Sequence, residues 1–350
     1  METEVLRVRA SDKAAISRAG ALIRAGRLVA FPTETVYGLG ANGLDAAACT
    51  RIYEAKGRPS DNPLILHVAG REMVELVAAE IPPMAEKLLA AFMPGPITLI
   101  LKRKSIVPDA ITGGLDTVGI RAPEHAAARA LIRAAGVPIA APSANRSGRP
   151  SPTTAASVLR DMQGRIPLIL DGGACRVGVE STIVDCTGAV ATILRPGAIT
   201  REMLTEVLGG CALDPALVGA KTVPRAPGMK YRHYAPKAEM TLLVGTPAKM
   251  GAAFRRAVRR LLTEGRRPGV LASREVCAEL APLLPAARLK DYGARGDLTA
   301  IAAQIYEALI AFDGTDADVL LAEGVEERGL GLAIMNRLKK ASGGRVRELE

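Results

Sequence analysis

The residues of this chain with chemistry to offer sit in short polar stretches, each beside an apolar run. Thr33, Glu34, Thr35 and Tyr37 follow the run Leu28 to Phe31, and Lys56, Arg58 and Asn62 precede the run Leu64 to Val68, which contains His67. Thr117 and Arg121 bracket Thr-Val-Gly-Ile-Arg. Ser143 and Asn145 belong to Pro-Ser-Ala-Asn, with Ser151 further along the same loop. Glu180, Ser181 and Thr182 open another apolar run, and Arg195 ends one. Cations, hydroxyls and bare backbone in these places make a site for an acidic substrate. Guanidinium groups recognise carboxylate and phosphate in a fixed two-point geometry, and Pro, Ser, Gly and Asn fix turns whose N–H groups can hold phosphate. No nucleophile with an obvious base stands among them.

Several reaction classes fall away on motif. There is no G-x-x-x-x-G-K-[ST], so a P-loop NTPase is not expected. No H-E-x-x-H and no paired Cys/His spacing points to zinc. Three histidines without a G-x-S-x-G elbow argue against a serine hydrolase. Gly38, Gly40 and Gly43 do spell G-x-G-x-x-G, the dinucleotide fingerprint. A true fingerprint begins directly after a strand and runs into its helix, whereas here polar and turn residues intervene after Pro32. The glycines are not expected to bind a dinucleotide.

The elements that must position these groups alternate between strand and helix. A helix is expected over 12–26, then a strand Leu28 to Phe31 stopped by Pro32. Asp45 is placed to cap a helix running to about Ala55. Strands at Leu64 to Val68 and Ile97 to Lys102 flank helices from Glu72 to Ala79 and Pro83 to Met93. In Thr117 to Arg121, Val118 and Ile120 point one way, and Thr117, Gly119 and Arg121 the other. The strand rises about 13 Å between its ends. Bare Gly119 leaves room for an elongated polar ligand, about as long as an aminoacyl-adenylate. A helix Glu124 to Ala135, a strand Val137 to Ala141, a helix Ser157 to Gln163 and strands near 168–170, 182–185 and 193–194 complete this part. Open α/β sheets bind ligands at strand ends. Four separate strand ends here offer Ser, Thr or Arg.

Taken singly, each group has a plain structural reading. Lys56 and Arg58 fit a solvated loop pair, His67 a core histidine sharing a face with Ile65, and Ser143 and Asn145 ordinary turn formers. Thr117 and Arg121 fit the polar face of an edge strand, and Glu34 and Glu180 fit caps or metal contacts.

The chain has 350 residues, 49% hydrophobic and 23% charged, with no Trp. That is material for two domains, with Ala, Leu, Ile and Val building the cores. Met1 to Ala10 contains acids and no long apolar run, unlike a signal peptide. The longest apolar stretch, Leu88 to Leu101, is interrupted by Pro94, Gly95 and Pro96, too short to span a membrane. Five cysteines, an odd number without C-x-x-C, give neither a disulfide framework nor a zinc site. A cytoplasmic location is expected. The net charge of +10 divides as +3 in residues 1–220, +4 in 221–240 and +3 in 241–350. An excess concentrated in one connector gives weak support to a broad nucleic-acid footprint.

The segments FPTETVYGLG, KGRPSDNPLILHV, PSAN and GVESTIVD together resemble the YrdC-type threonylcarbamoyl-AMP synthases, and the chain's length resembles the long, two-domain form of that family. The resemblance implies a YrdC-like twisted open mixed sheet with helices, plus a smaller Rossmann-like α/β C-terminal domain. It implies a catalytic domain over 1–220, a Pro-rich basic linker or lid over 221–238 and the small domain over 239–350, where Met240 to Val244, Pro247 to Gly265, Gly269 to Leu271, Leu298 to Phe312 and Asp318 to Leu321 alternate as β, α, β, α, β. It implies the reaction of L-threonine, bicarbonate or CO₂, and ATP to threonylcarbamoyl-AMP and pyrophosphate, with Mg²⁺ accompanying ATP. By position, Thr35, His67, Arg121, Ser181 and the backbone of Ala141 resemble the threonine pocket. Arg58, Asn62, Thr117, Ser143, Asn145, Ser151, Arg195 and Tyr234 resemble the nucleotide side. Lys56 and Arg58 resemble the groups that stabilise phosphate charge. Hand-over of the product to a tRNA threonylcarbamoyl transferase complex is implied by family alone.

The linker, KTVPRAPGMKYRHYAPK, interleaves cations with Tyr231, His233 and Tyr234. It reads as a lid over the nucleotide, as a base-stacking RNA contact or as a rigid spacer. Two other functions stay open from residues alone. One is a non-catalytic RNA-binding module using the same basic loops. The other is ATP-dependent carbamoyl transfer to another amine, against which the absence of zinc-finger-like cysteines counts.

Overall fold

The structure, a computed structural model, describes residues 1–59, 62–218 and 233–349. It divides into two compact units, one comprising residues 1–147 and 151–218, the other 148–150 and 233–349. In the first unit the chain runs β1 (Glu4–Arg7), α1 (Lys13–Arg24), β2 (Val29–Phe31), β3 (Gly38–Asn42), α2 (Ala46–Lys56), β4 (Ile65–His67), α3 (Arg71–Val77) and α4 (Pro83–Phe92). It continues through β5 (Ile97–Lys102), α5 (Asp109–Thr112), β6 (Thr117–Arg121), α6 (Ala126–Ala135), β7 (Ile139–Ala140), α7 (Ala155–Met162), β8 (Leu168–Asp171), β9 (Thr182–Asp185), β10 (Thr192–Arg195), α8 (Arg201–Leu208) and β11 (Ala212–Leu213).

The strands form one sheet in the order β1-β8-β2-β3-β7-β4-β6-β5-β9-β10-β11. It is mixed: β4 with β6 and β5 with β9 are parallel, while β3 with β7 and β5 with β6 are antiparallel. Because side chains alternate across a strand, each strand in the middle of the sheet divides its residues between two faces. Leu66, Leu99, Val118, Ile120 and Val184 enter the main hydrophobic core. The residues between them, Ile65, Ile100 and Ile183, join Leu194 in a separate small apolar cluster. His67, Thr98, Thr117 and Arg121 share the alternation of that second set. In β4, β5 and β6 one face thus builds the main core and the other gathers polar groups around a small apolar floor, while on that other face β2, β7 and β8 bury Phe31, Ile139 and Leu170 in a second core with α1 and α6.

Strand β6 lies between β4 and β5, so Thr117 and Arg121 are not on an edge. The room expected over Gly119 is narrower than its bare backbone suggests. A Cβ there would lie 3.3 Å from both Ile100 and Thr98 and 3.5 Å from Ile65. Between its polar ends, the strip is floored by these neighbours.

The local rules hold where the sequence states them clearly. Asp45 caps α2, its carboxylate accepting from the N–H groups of Ala47 and Ala48, and Gly57 ends the helix in the left-handed conformation at φ 60°. Lys56 is therefore the last helical residue rather than a loop residue. The Gly38–Gly43 segment opens no helix, because Gly38 and Gly40 lie in β3, antiparallel to β2. A Cβ at Gly38 or Gly40 would lie 3.1 or 2.9 Å from the Phe31 ring. The glycines thus seat an aromatic ring against a strand and open no dinucleotide turn.

The second unit runs β12 (Glu239–Val244), α9 (Pro247–Thr263), β13 (Pro268–Ala272), α10 (Arg274–Leu280), β14 (Leu289–Asp291), α11 (Leu298–Ala311), β15 (Val319–Glu323), α12 (Leu330–Ala341) and β16 (Val346–Glu348). Its five strands are all parallel, in the order β14-β13-β15-β12-β16. This is the small Rossmann-like domain expected from the β, α alternation. Linker residues 221–232, Tyr231 included, lie outside the described residues.

At Gly43 a Cβ would come 2.5 Å from Leu66 and 2.8 Å from the carbonyl oxygen of Pro138, which cannot move without shifting backbone. Gly43→Ala should therefore destabilise the first unit by about 1–3 kcal/mol, read as a lower urea midpoint.

Candidate active site

Backbone hydrogen bonds stitch the polar loops into one wall. Tyr37 N–H donates to Pro152 O, Ala144 N–H to Tyr37 O, Val177 N–H to Glu34 O and Gly178 N–H to Thr35 O. Ser147 N–H donates to Lys56 O, which adds the end of α2. Loops distant in sequence are thus held in register by their own main chain, leaving side chains for function.

Arg121 ends β6 and stands in register with His67 of β4. Its Nη2 donates to Glu34 Oε1 at 2.6 Å, with the two side chains 5% and 4% exposed. The other oxygen of Glu34 accepts from Glu124 N–H at 3.1 Å. The Nε of Arg121 is buried and has no partner among the described residues. A buried N–H without an acceptor is costly, and an anionic ligand would satisfy it.

His67 packs edge-on to Phe31, ring centroids 5.8 Å apart, with Nδ1 3.3 Å from Ile65 O. Burial first, and then the Arg121 charge, push its pKa from 6.5 down to about 3. The imidazole is neutral at physiological pH, so it can offer a hydrogen bond but no charge. Ser181 is fully buried, its Oγ 2.7 Å from Thr98 Oγ1 and 3.1 Å from the donating Nη2 of Arg195. Arg195 Nε also donates to Ser181 O at 3.0 Å, so this guanidinium fixes the serine in place. Thr33 Oγ1 donates to Val36 O at 2.6 Å, so in its 3.0 Å contact with Thr35 Oγ1 it is Thr35 that donates. Ala141 donates its N–H to Ile65 O and is buried beside these groups.

The second cluster surrounds the Pro-Ser-Ala-Asn turn. Lys56 is 4% exposed, which removes the solvated-loop reading. Its ammonium donates to Ser143 O and Asn145 O at 2.5 and 2.6 Å, and Ser143 Oγ donates to Asn145 Oδ1 at 2.5 Å. Burial, and then the nearby Arg58 charge, hold the lysine well below its ordinary pKa. Arg58 is half-buried, donating to Asn62 O at 3.1 Å, with its guanidinium 5.8 Å from the Tyr53 ring centroid. Asn62 is buried, and its Nδ2 has no partner among the described residues. Ser151 Oγ donates to Glu180 Oε1 at 2.6 Å, which ties this cluster to the residue beside Ser181.

The structure therefore joins Thr35, His67, Arg121 and Ser181 in one group, and Lys56, Arg58, Asn62, Ser143 and Asn145 in another, with Ser151 between them. Thr117 stands half-buried at the far end of β6. Tyr234 falls in the second unit, at φ 65° with its ring 5.3 Å from that of Tyr306. Neither Glu34 nor Glu180 belongs to a cluster of three or more acid, histidine or thiol groups among the described residues. Sequence reasoning passed over Thr98, although a lone hydroxyl in the apolar run of β5 was the available signal. It also left the partner of Glu34 undecided.

Two outcomes follow from this geometry. Lys56→Met leaves two buried carbonyl groups without their donor and should cost about 3 kcal/mol in chemical unfolding. For His67 the native pKa lies below the unfolded one, so below pH 6.5 the unfolded chain takes up a proton the native chain refuses. Stability from this group falls as pH drops from 6.5 toward about 3, and His67→Gln should flatten that part of a pH series of urea midpoints.

Residues 21–197 match a family profile described as telomere recombination, and residues 199–343 match one described as threonylcarbamoyl-AMP synthase, C-terminal domain. A curated threonylcarbamoyl-AMP synthase of Pyrococcus abyssi is 49% identical over 94% of each chain. One of Bacillus subtilis is 47% identical over 95% of this chain and 94% of its own. A crystal structure of P. abyssi Sua5 complexed with L-threonine superposes with a TM-score of 0.93 at 47% identity, covering all of both chains. Fold and sequence agree across both units, and this chain belongs to the threonylcarbamoyl-AMP synthase family in its two-domain form.

Proposed function

We propose that this chain is a nucleotidyltransferase that converts L-threonine, bicarbonate or CO₂, and ATP into threonylcarbamoyl-AMP and pyrophosphate. The observation that carries this reading is the buried Arg121. One of its nitrogens is held by Glu34, and its Nε has no acceptor among the described residues, with a neutral His67 in register beside it. That is a pocket for one carboxylate with hydrogen-bonding groups around it, the recognition chemistry of an amino acid.

The threonine amine would add to the carbon of CO₂ or bicarbonate, giving a carbamate, with loss of water in the bicarbonate case. A carbamate oxygen then attacks the α-phosphorus of ATP, and the bond from that phosphorus to pyrophosphate breaks. No covalent enzyme intermediate is required. Catalysis comes from holding three reactants together and from donors that meet the charge growing on phosphate.

In this reading Arg121 pairs with the threonine carboxylate, while Thr35, His67, Ser181 and the Ala141 backbone hold the rest of the amino acid. Arg58, Asn62, Thr117, Ser143, Asn145, Ser151 and Arg195 take the nucleotide. Lys56 acts at the phosphates by fixing the turn that carries Ser143 and Asn145, and Arg58 offers its charge directly. Magnesium would bring Lewis-acid chemistry on the triphosphate, kept by phosphate and water oxygens rather than by a protein cage. The product would pass to a tRNA threonylcarbamoyl transferase complex, in the cytoplasm. Among the described residues no helix is long and apolar enough to cross a membrane.

The test incubates the protein with ATP, magnesium, bicarbonate and L-threonine and follows pyrophosphate and the adenylate by mass spectrometry. A carbamoylated adenylate that forms only with threonine is expected. Arg121→Gln should raise the threonine requirement by about 10- to 100-fold. ATP left intact, or cleaved equally without threonine, would overturn the reading and turn attention to salt-dependent RNA binding.

A further inference from the structure

The residue that follows Arg121 belongs to a different cavity. Ala122 lies in the main core, and together with Val74 of α3 and Leu89 of α4 it lines a cavity of about 280 Å³. Arg71, Glu86 and Arg129 supply its polar side. Two of these charges neutralise each other, since Arg71 donates to both oxygens of Glu86, at 2.5 and 2.6 Å, and also to Glu75 at 2.8 Å. Arg129 of α6 is different. Its guanidinium makes no hydrogen bond or ion pair with any described residue, and its Nε is shut off from solvent without a partner. An apolar hollow with one uncompensated guanidinium in its wall is complementary to a single negative charge on an apolar body.

We propose that this cavity binds a small monocarboxylate with an apolar tail of about four to six carbons, its carboxylate on Arg129 and its tail against Val74, Leu89 and Ala122. The size agrees. At about 30 Å³ for each water in the liquid, the cavity holds the equivalent of about nine waters, enough for a six-carbon acid. The site is separate from the proposed threonine pocket, since none of Thr35, His67, Arg121, Ala141 and Ser181 lines it. The proposal does not depend on which reaction the chain performs.

Calorimetric titration of the full chain with acetate, butyrate and hexanoate, each with and without saturating L-threonine, tests it. Affinity should strengthen by about fourfold for each added methylene, reaching about millimolar for hexanoate, and should be indifferent to threonine. Arg129→Gln should weaken hexanoate at least tenfold, as should replacing the acid by 1-hexanol. Ala90 also lines the cavity and is exposed, so Ala90→Phe should block it without disturbing the fold. Circular dichroism checks that both variants are folded. Competition by threonine would place the carboxylate at Arg121 and overturn the proposal, as would equal binding of acid and alcohol, or unchanged binding by both folded variants.

Discussion

A buried ion pair, Arg121 to Glu34, sets the conditions for everything around it. Taking a guanidinium and a carboxylate out of water costs several kcal/mol per charge, and their attraction offsets this only when the remaining donors and acceptors are also met. Glu34 meets its share through the Glu124 N–H. Arg121 does not, because its Nε has no acceptor among the described residues. The imbalance has a direction, since a second anion beside the guanidinium would complete it. The same positive charge, added to burial, keeps His67 neutral, so the pocket holds one cation rather than two. A pocket with one net uncommitted donor set suits one carboxylate better than a phosphate cluster.

The sheet makes this arrangement possible by using its two faces differently. On the core face, Leu66, Leu99, Val118 and Ile120 bury apolar surface and fix the order of the strands. On the other face the same strands present His67, Thr98 and Arg121 around Ile65, Ile100 and Ile183. A slip of one residue would exchange the two sets, so the core that stabilises the fold also fixes the register of the site. Lys56 plays the corresponding part for the second cluster. Its ammonium, at the end of a capped helix, binds two carbonyls of a turn far away in sequence. A lysine used in this way acts first as a clamp, and its effect on a bound phosphate passes through the turn it holds.

Much of this was legible in the sequence where a local rule decides the outcome. The alternation in Thr117 to Arg121 gave the faces correctly, Asp45 marked the start of α2, and spacing alone argued against a dinucleotide loop at Gly38–Gly43. What failed to show was whatever depends on contacts between distant segments. That Gly38 and Gly40 form a strand follows from the Phe31 ring lying across them. That Lys56 is buried follows from Ser143 and Asn145, nearly ninety residues on. Short elements such as α10 and β14 carry too few apolar residues to declare a period. Thr98 looked like one more strand residue until Ser181 was placed beside it.

The central claim is that Arg121, held at one nitrogen by Glu34, receives the threonine carboxylate. Calorimetric binding of L-threonine and of L-threoninamide, which lacks the negative charge, to the unaltered protein and to Arg121→Gln measures this directly. The unaltered protein should prefer threonine by about tenfold or more, and the variant should lose that preference while staying folded. A preference that survives in Arg121→Gln, or no preference in the unaltered protein, would place the carboxylate elsewhere and contradict the assignment.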